Sequence, residues 1–185
     1  MRTIGLAALV AMLTTIAAGG GRAMAQDATC VHVSTSFNFE VRAEFARAAQ
    51  LFGPESEKGW AGERWQPKFA YPQPGSDVPG TVFTTQHGPH TSIWVNTLYD
   101  VADGRMQYVA VIPGVVATVV DVRLKSEGSD ATKVAVTYVR TALDAAVNED
   151  VRRMAEHDAV SGPEWQEAIA ALLASQADGK QRESR

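Results

Sequence analysis

The chain has 185 residues, of which 45% are apolar, 8% aromatic and 21% charged. That composition excludes a disordered tail, a collagen-like repeat and, with a single cysteine, a disulfide-dense miniprotein. The length fits one domain or two small ones.

The first 25 residues read as an address rather than as fold. Arg2 precedes an apolar run over 4–18, three glycines follow at 19–21, and Ala23-Met24-Ala25 stands before Gln26. A basic start, an apolar core and an A-x-A site form the signature of a secretory leader. The run is shorter than the roughly 20 residues a membrane span needs. Cleavage is expected after Ala25, which leaves no integral span and places the mature chain in the periplasm or outside. Asp27-Ala28-Thr29 before Cys30 lacks the context that lipidation requires. The leader carries Arg2 and Arg22 and no acid. The 17 basic residues therefore drop to 15 against 21 acidic ones, and the net charge moves from −4 to −6. An acidic chain does not suit nucleic acid or docking on anionic lipid.

The mature chain opens with a flexible segment over 26–33. An alternating strand over 33–41 follows, with Phe37, Phe39 and Val41 on one face. Helical spacing then runs over 43–52 and stops at Gly53-Pro54. A second short helix over 55–62 carries Trp60. Six more strands are predicted at 64–72, 80–87, 90–100, 105–112, 115–126 and 131–142. Gly- or Pro-containing dividers separate them, so the reading is an antiparallel meander. Leu143, Val147, Val151 and Met154 then recur at helical spacing. Ser161-Gly162-Pro163-Glu164 reads as a capping box that opens a segment burying Trp165, Ile169, Leu172 and Leu173. A polar tail is expected from Gln176, with the domain spanning 34–176 and the tail 177–185.

The order of strand, two short helices, six-strand meander and long helix resembles the helix-grip fold of the SRPBCC, START-like superfamily. That superfamily includes polyketide cyclases, dehydrases and lipid-transport proteins. The resemblance is carried by Glu57-x-x-Trp60 with Arg64-Trp65-x-Pro67-x-Phe69, by Gly80-Thr81-Val82-Phe83-Thr84, and by Ile93-Trp94-Val95 with Tyr99-Asp100. Pro113-Gly114 and the strand over 132–141 complete it, and it covers 34–173. It implies an α+β fold: a seven-stranded antiparallel sheet, two short helices and a long C-terminal helix covering the sheet. It also implies an apolar cavity between sheet and helix, in which many members hold lipids, quinones or polyketides.

Several side chains are candidates for that cavity. Val134, Val136, Tyr138 and Arg140 share one face of the last strand. If that face looks into the cavity, Tyr138 and Arg140 offer a hydroxyl and a cation to an acidic or carbonyl head. Otherwise Arg140 lies in water at the strand end. Trp60, Trp65, Trp94, Phe39 and Tyr108 are pocket-wall candidates, with packing in the core as the plain alternative. Without the strand registers, one residue of slip moves Trp94 outside. Glu57 shares a helical face with Trp60 and could pair with Arg64 or Arg140. His87 and His90 flank a turn, and Cys30 and His32 sit at the mature N-terminus. Neither set has a metal-ligand or nucleophile pattern, so no metal and no catalytic residue is assigned. Phosphate loops and dinucleotide fingerprints are missing, and no cofactor is expected.

Three functions remain. The first is an exported, non-enzymatic binder or transporter of an apolar or amphipathic small molecule. The second is a cyclase- or dehydratase-type enzyme using a cavity acid or base. The third is a protein-interaction module of unknown partner.

Overall fold

A computed structural model describes residues 29–183. The expected leader, 1–25, and positions 26–28 lie outside the described residues.

One sheet carries the fold. Strand β1 (His32–Val41) is followed, after a long connection, by β2 (Lys68–Tyr71), β3 (Val82–His87) and β4 (His90–Asp100). Then come β5 (Arg105–Ile112), β6 (Val116–Ser126) and β7 (Thr132–Ala142). The spatial order is β1-β7-β6-β5-β4-β3-β2, and every pairing is antiparallel. This is the expected α+β helix-grip architecture: a meander whose last strand accepts the first as its neighbour.

Short turns set the pairing. Strands β3 and β4 are joined through Gly88-Pro89, with His87 opposite His90. Gly88 has φ +56°, the positive angle that a two-residue hairpin asks of its first position. The two histidines are thus the closing pair of a hairpin. Among the described residues, no group of three or more His, Cys, Asp or Glu could hold a metal.

Alternation puts one face of the sheet indoors. Met106 and Tyr108 of β5, Val120 and Val122 of β6, and Val134 and Val136 of β7 are all buried. The register aligns them across the sheet, with Phe37, Val136, Val122 and Met106 in one row. A bulge at Thr97 shifts the parity of β4. Asn96 stands opposite Tyr108 before it, and Tyr99 opposite Met106 after it. Both therefore serve the inner face.

The cover is helical. The connection after β1 crosses from one sheet edge to the other through α1 (Phe45–Ala49) and a 3-10 turn, Ser56–Gly59. Helix α2 (Asn148–Ala159) buries Val151 against Val116 and Ala142. Helix α3 (Gly162–Glu183) lays Ile169, Trp165, Ala168 and Leu172 on the main core. Its start lies close to β1, where a Cβ on Gly162 would sit 3.2 Å from the Asn38 carbonyl oxygen.

Some boundaries differ from the sequence reading. Helix α1 covers half of 43–52, because the Leu51 amide already turns back to Ala48 and Gly53-Pro54 follows. Strand β2 starts at Lys68 rather than 64, since Trp65 and Gln66 spend their amides on a local turn to Gly62 and Arg64. Leu143 precedes α2 and is 45% exposed, its amide held by Val115. The Ser161 hydroxyl does not complete the expected capping box with Glu164. It donates to the His157 carbonyl at 2.9 Å and so closes α2. Helix α3 continues through most of the expected polar tail to Glu183, and Arg47 of α1 donates to Gln176 on it. The described part of the expected flexible segment 26–33 is also bonded. The Asn148 side chain accepts from the Val31 amide at 2.7 Å and donates to Thr29, and His32 already belongs to β1.

One ion pair joins sheet to helix. Arg140 of β7 donates to both carboxylate oxygens of Asp158 on α2, at 2.5 and 2.9 Å, and to the Thr118 hydroxyl at 3.1 Å. The two side chains are only 16% and 9% exposed. Removing one partner of such a pair strands the other charge. Arg140→Met is expected to lower unfolding free energy by about 3–5 kcal/mol in urea denaturation, with most of the loss recovered in the Arg140→Met, Asp158→Leu double variant. A cost below about 1 kcal/mol would mean the pair behaves as an exposed one.

Candidate functional site

Sheet and helices do not close completely on each other. Between them lies a cavity of about 560 Å³, within the range of small-molecule sites. The sheet contributes Trp94, Tyr108, Val120, Val122 and Tyr138. The crossing connection contributes Glu57, Trp60 and Trp65, and the helical cover contributes His157, Glu164, Trp165 and Ala168. A second chamber of about 330 Å³ shares Trp65, Trp94 and Tyr138 with the first and reaches toward Arg140 and Met154.

The walls are aromatic, and three of the indoles have their N–H groups already occupied. The indole N–H of Trp60 donates to the Leu51 carbonyl at 2.8 Å, that of Trp65 to Pro54 at 3.0 Å, and that of Trp94 to the Thr85 hydroxyl at 3.0 Å. Each ring is thereby fixed by its edge and offers hydrocarbon and π surface. The rings also brace one another. Trp60 lies 5.1 Å from Trp165, which meets Phe37 edge-on at 5.3 Å. Trp65 meets Trp94 edge-on at 5.8 Å, and Trp94 stacks on Phe83 at 5.7 Å.

Glu57 is placed by the 3-10 turn, in which residues three apart eclipse, so it shares the cavity with Trp60. The turn is held from outside by Asp77, which accepts from the amides of Glu55 and Ser56 at 2.7 and 3.0 Å and from the Ser56 hydroxyl at 2.6 Å. Asp77 approaches so closely that a Cβ on Gly53 would lie 2.4 Å from its Cγ. Glu57 accepts one hydrogen bond, from the Gly53 amide at 3.3 Å. Loss of water around it pushes its carboxyl up to about 8. The Gly53 amide opposes that rise and the Asp77 charge adds to it. Glu57 forms no ion pair among the described residues, so the expected pairing with Arg64 or Arg140 is not made.

Two phenols share the site. Tyr108 is 5% exposed, and its hydroxyl has no hydrogen-bond partner among the described residues. Burial raises it well above the usual tyrosine range, with the Glu57 charge the next cause. Tyr138 is raised first by burial and then by Asp158, against the opposing charge of Arg140. Its ring lies 5.0 Å below the Arg140 guanidinium.

Of the candidates read from sequence, Glu57, Trp60, Trp65, Trp94, Tyr108 and Tyr138 meet around the main cavity. Arg140 faces only the second chamber, and it is neither a free cavity cation nor a solvent-exposed strand end, because Asp158 holds it. Phe39 is core: it packs on Phe37, Phe52 and Trp165 and borders a separate surface groove. His157 and Glu164 were not among the sequence candidates. Glu164 stands beside Trp165 on the first turn of α3, a position that reads equally as helix capping. His157 had no distinguishing neighbour in sequence.

No protein-family model matches the chain, and no curated protein matches it. Solved structures do. Norcoclaurine synthase from Thalictrum flavum, in complex with dopamine and hydroxybenzaldehyde, superposes with a TM-score of 0.58 at 15% identity, covering 91% of this chain and 98% of its own. The protein XoxI from Bacillus cereus superposes with a TM-score of 0.58 at 17% identity, covering 78% and 98%. The fold is of the SRPBCC, START-like type. Ara h 8.0201 is a further structural neighbour, with a TM-score of 0.53 at 12% identity, covering 78% and 99%. At these identities the likeness concerns the fold.

The Glu57 environment has a measurable sign. A carboxyl whose folded value lies near 8 against 4.5 for the free group binds its proton more tightly folded than unfolded. Its contribution to stability is therefore full below about 4.5, declines as pH rises, and is lost above about 8. In thermal melts from pH 5 to 9, Glu57→Gln is expected to lose less stability than the parent protein. Parallel pH profiles for the two would show that Glu57 titrates as an ordinary surface carboxyl.

Proposed function

We propose that the protein is an exported binding protein that carries an apolar or amphipathic small molecule in the cavity between sheet and α3. The observation that supports this most is the state of the cavity wall. Three tryptophans have their indole N–H groups committed to the protein, so their remaining surface suits hydrocarbon or aromatic rings. A few polar groups, Glu57, Tyr108 and Tyr138, converge on the same space, as in sites where apolar walls give affinity and polar groups give orientation. Export rests on the leader pattern over 1–25, and the mature chain would begin at Gln26.

A second reading is a cyclase- or dehydratase-type enzyme. One observation favours it: Glu57 holds its proton into the neutral range beside a second ionisable group, Tyr108, as a proton-transfer residue would. This reading requires metabolites of the host that the parent protein consumes and Glu57→Gln does not.

Binding is tested by filling the cavity. Ala168 lies on the wall and Ala174 is exposed on the same helix. Ala168→Trp is expected to weaken binding of the neutral dye N-phenyl-1-naphthylamine by about tenfold or more, the loss of roughly 1.4 kcal/mol of contact. Ala174→Trp should leave it unchanged. Equal affinity in the two variants would place the dye outside the cavity and contradict the proposal.

A further inference from the structure

The charges around the cavity define the ligand more narrowly than its shape does. On sequence, Arg140 suggested an acidic or carbonyl head. In the fold, that guanidinium is engaged by Asp158 and Thr118 beyond Tyr138. Among the described residues lining the main cavity there is no Lys and no Arg, while two carboxylates, Glu57 and Glu164, line it. The carboxylate of Asp77 acts on Tyr108 through space in the same sense as Glu57. An anionic ligand would meet no Lys or Arg here, only the imidazole of the exposed His157, against the two carboxylates.

A second observation is the polar capacity left in the wall. The Tyr108 hydroxyl is buried in the cavity wall without a partner. An unmet buried hydroxyl is destabilising; its oxygen can accept a hydrogen bond from an arriving N–H, and its O–H remains free to donate. Glu57 has one weak bond to the Gly53 amide and acceptor capacity left over. The indoles that line the cavity offer π surface to which a cation is drawn, indole most strongly.

We propose that the cavity takes a protonated lipophilic amine, its ammonium group between the Glu57 carboxylate and the Tyr108 hydroxyl and its hydrocarbon or aryl body against Trp60, Trp65 and Trp94. This rests on the reading of the cavity as a binding site and narrows it to one charge class. Burial near the ammonium would convert Glu57 from a penalised lone carboxyl into one half of an ion pair.

The test is a series of three probes of equal length that differ in the head: 4-phenylbutylamine, 4-phenylbutanol and 4-phenylbutyrate. Affinity is read at pH 8 by calorimetry and by quenching of tryptophan fluorescence. The amine is expected to bind about tenfold tighter than the alcohol, and the carboxylate weaker than both. Glu57→Gln is expected to remove the preference for amine over alcohol, and Tyr108→Phe to reduce amine binding several-fold. Melting curves confirm that each variant is folded, and the three-probe comparison in the unaltered protein stands without any variant. Equal binding of amine and alcohol, or tighter binding of the carboxylate, would overturn the amine assignment and leave the cavity reading intact. Binding of none of the three would overturn both.

Discussion

A sheet with one apolar face has to be covered, and the cover determines what space remains. Here the cover is α3, anchored on the core through Ile169 and Trp165. It is joined to the sheet side through α2, whose Asp158 holds Arg140 of β7. Large rings stand between helix and sheet. Because they are braced against one another and tied by their edges, they hold the two layers apart. The cavity follows from that arrangement: bulky walls with fixed positions leave a gap that small flexible side chains would have closed.

The crossing connection gives the gap its chemistry. It must travel from β1 at one sheet edge to β2 at the other, and the tight turn over Ser56–Gly59 brings Glu57 and Trp60 to the same side. Asp77 stabilises the turn from outside while keeping a second negative charge near Glu57. The protein thus keeps a carboxyl in apolar surroundings without a cation, an arrangement that costs stability as pH rises. Tyr108 lines the same cavity, and its hydroxyl has no hydrogen-bond partner among the described residues. A ligand with N–H donors would give both oxygens a donor.

Much of the architecture was legible in the chain because it depends on periodicity. Strands at 90–100 and 105–112 coincide with β4 and β5, since their ends are marked by Gly88-Pro89, Gly104 and Pro113-Gly114. The candidate aromatics were legible as a set but not as a surface. Trp94 could face the cavity only once β4 was registered against β3 and β5, and the Thr97 bulge that brings Tyr99 indoors leaves no mark in the alternation. Phe39 and Trp60 look alike in sequence and are equally buried, yet Phe39 borders a separate surface groove and Trp60 the main cavity. Arg140 was not legible for a different reason. Its partner Asp158 is 18 residues away on another element, and only the docking of α2 on β7 brings them together.

The central claim is that this cavity is occupied by a small molecule when the protein is at work. Native mass spectrometry of protein recovered from its own host tests it most directly. A discrete adduct of a few hundred daltons is expected, identifiable by mass after denaturation and diminished in the Ala168→Trp variant. An unmodified mass, together with a crystal structure in which side chains fill the space between β5, β6 and α3, would contradict the account.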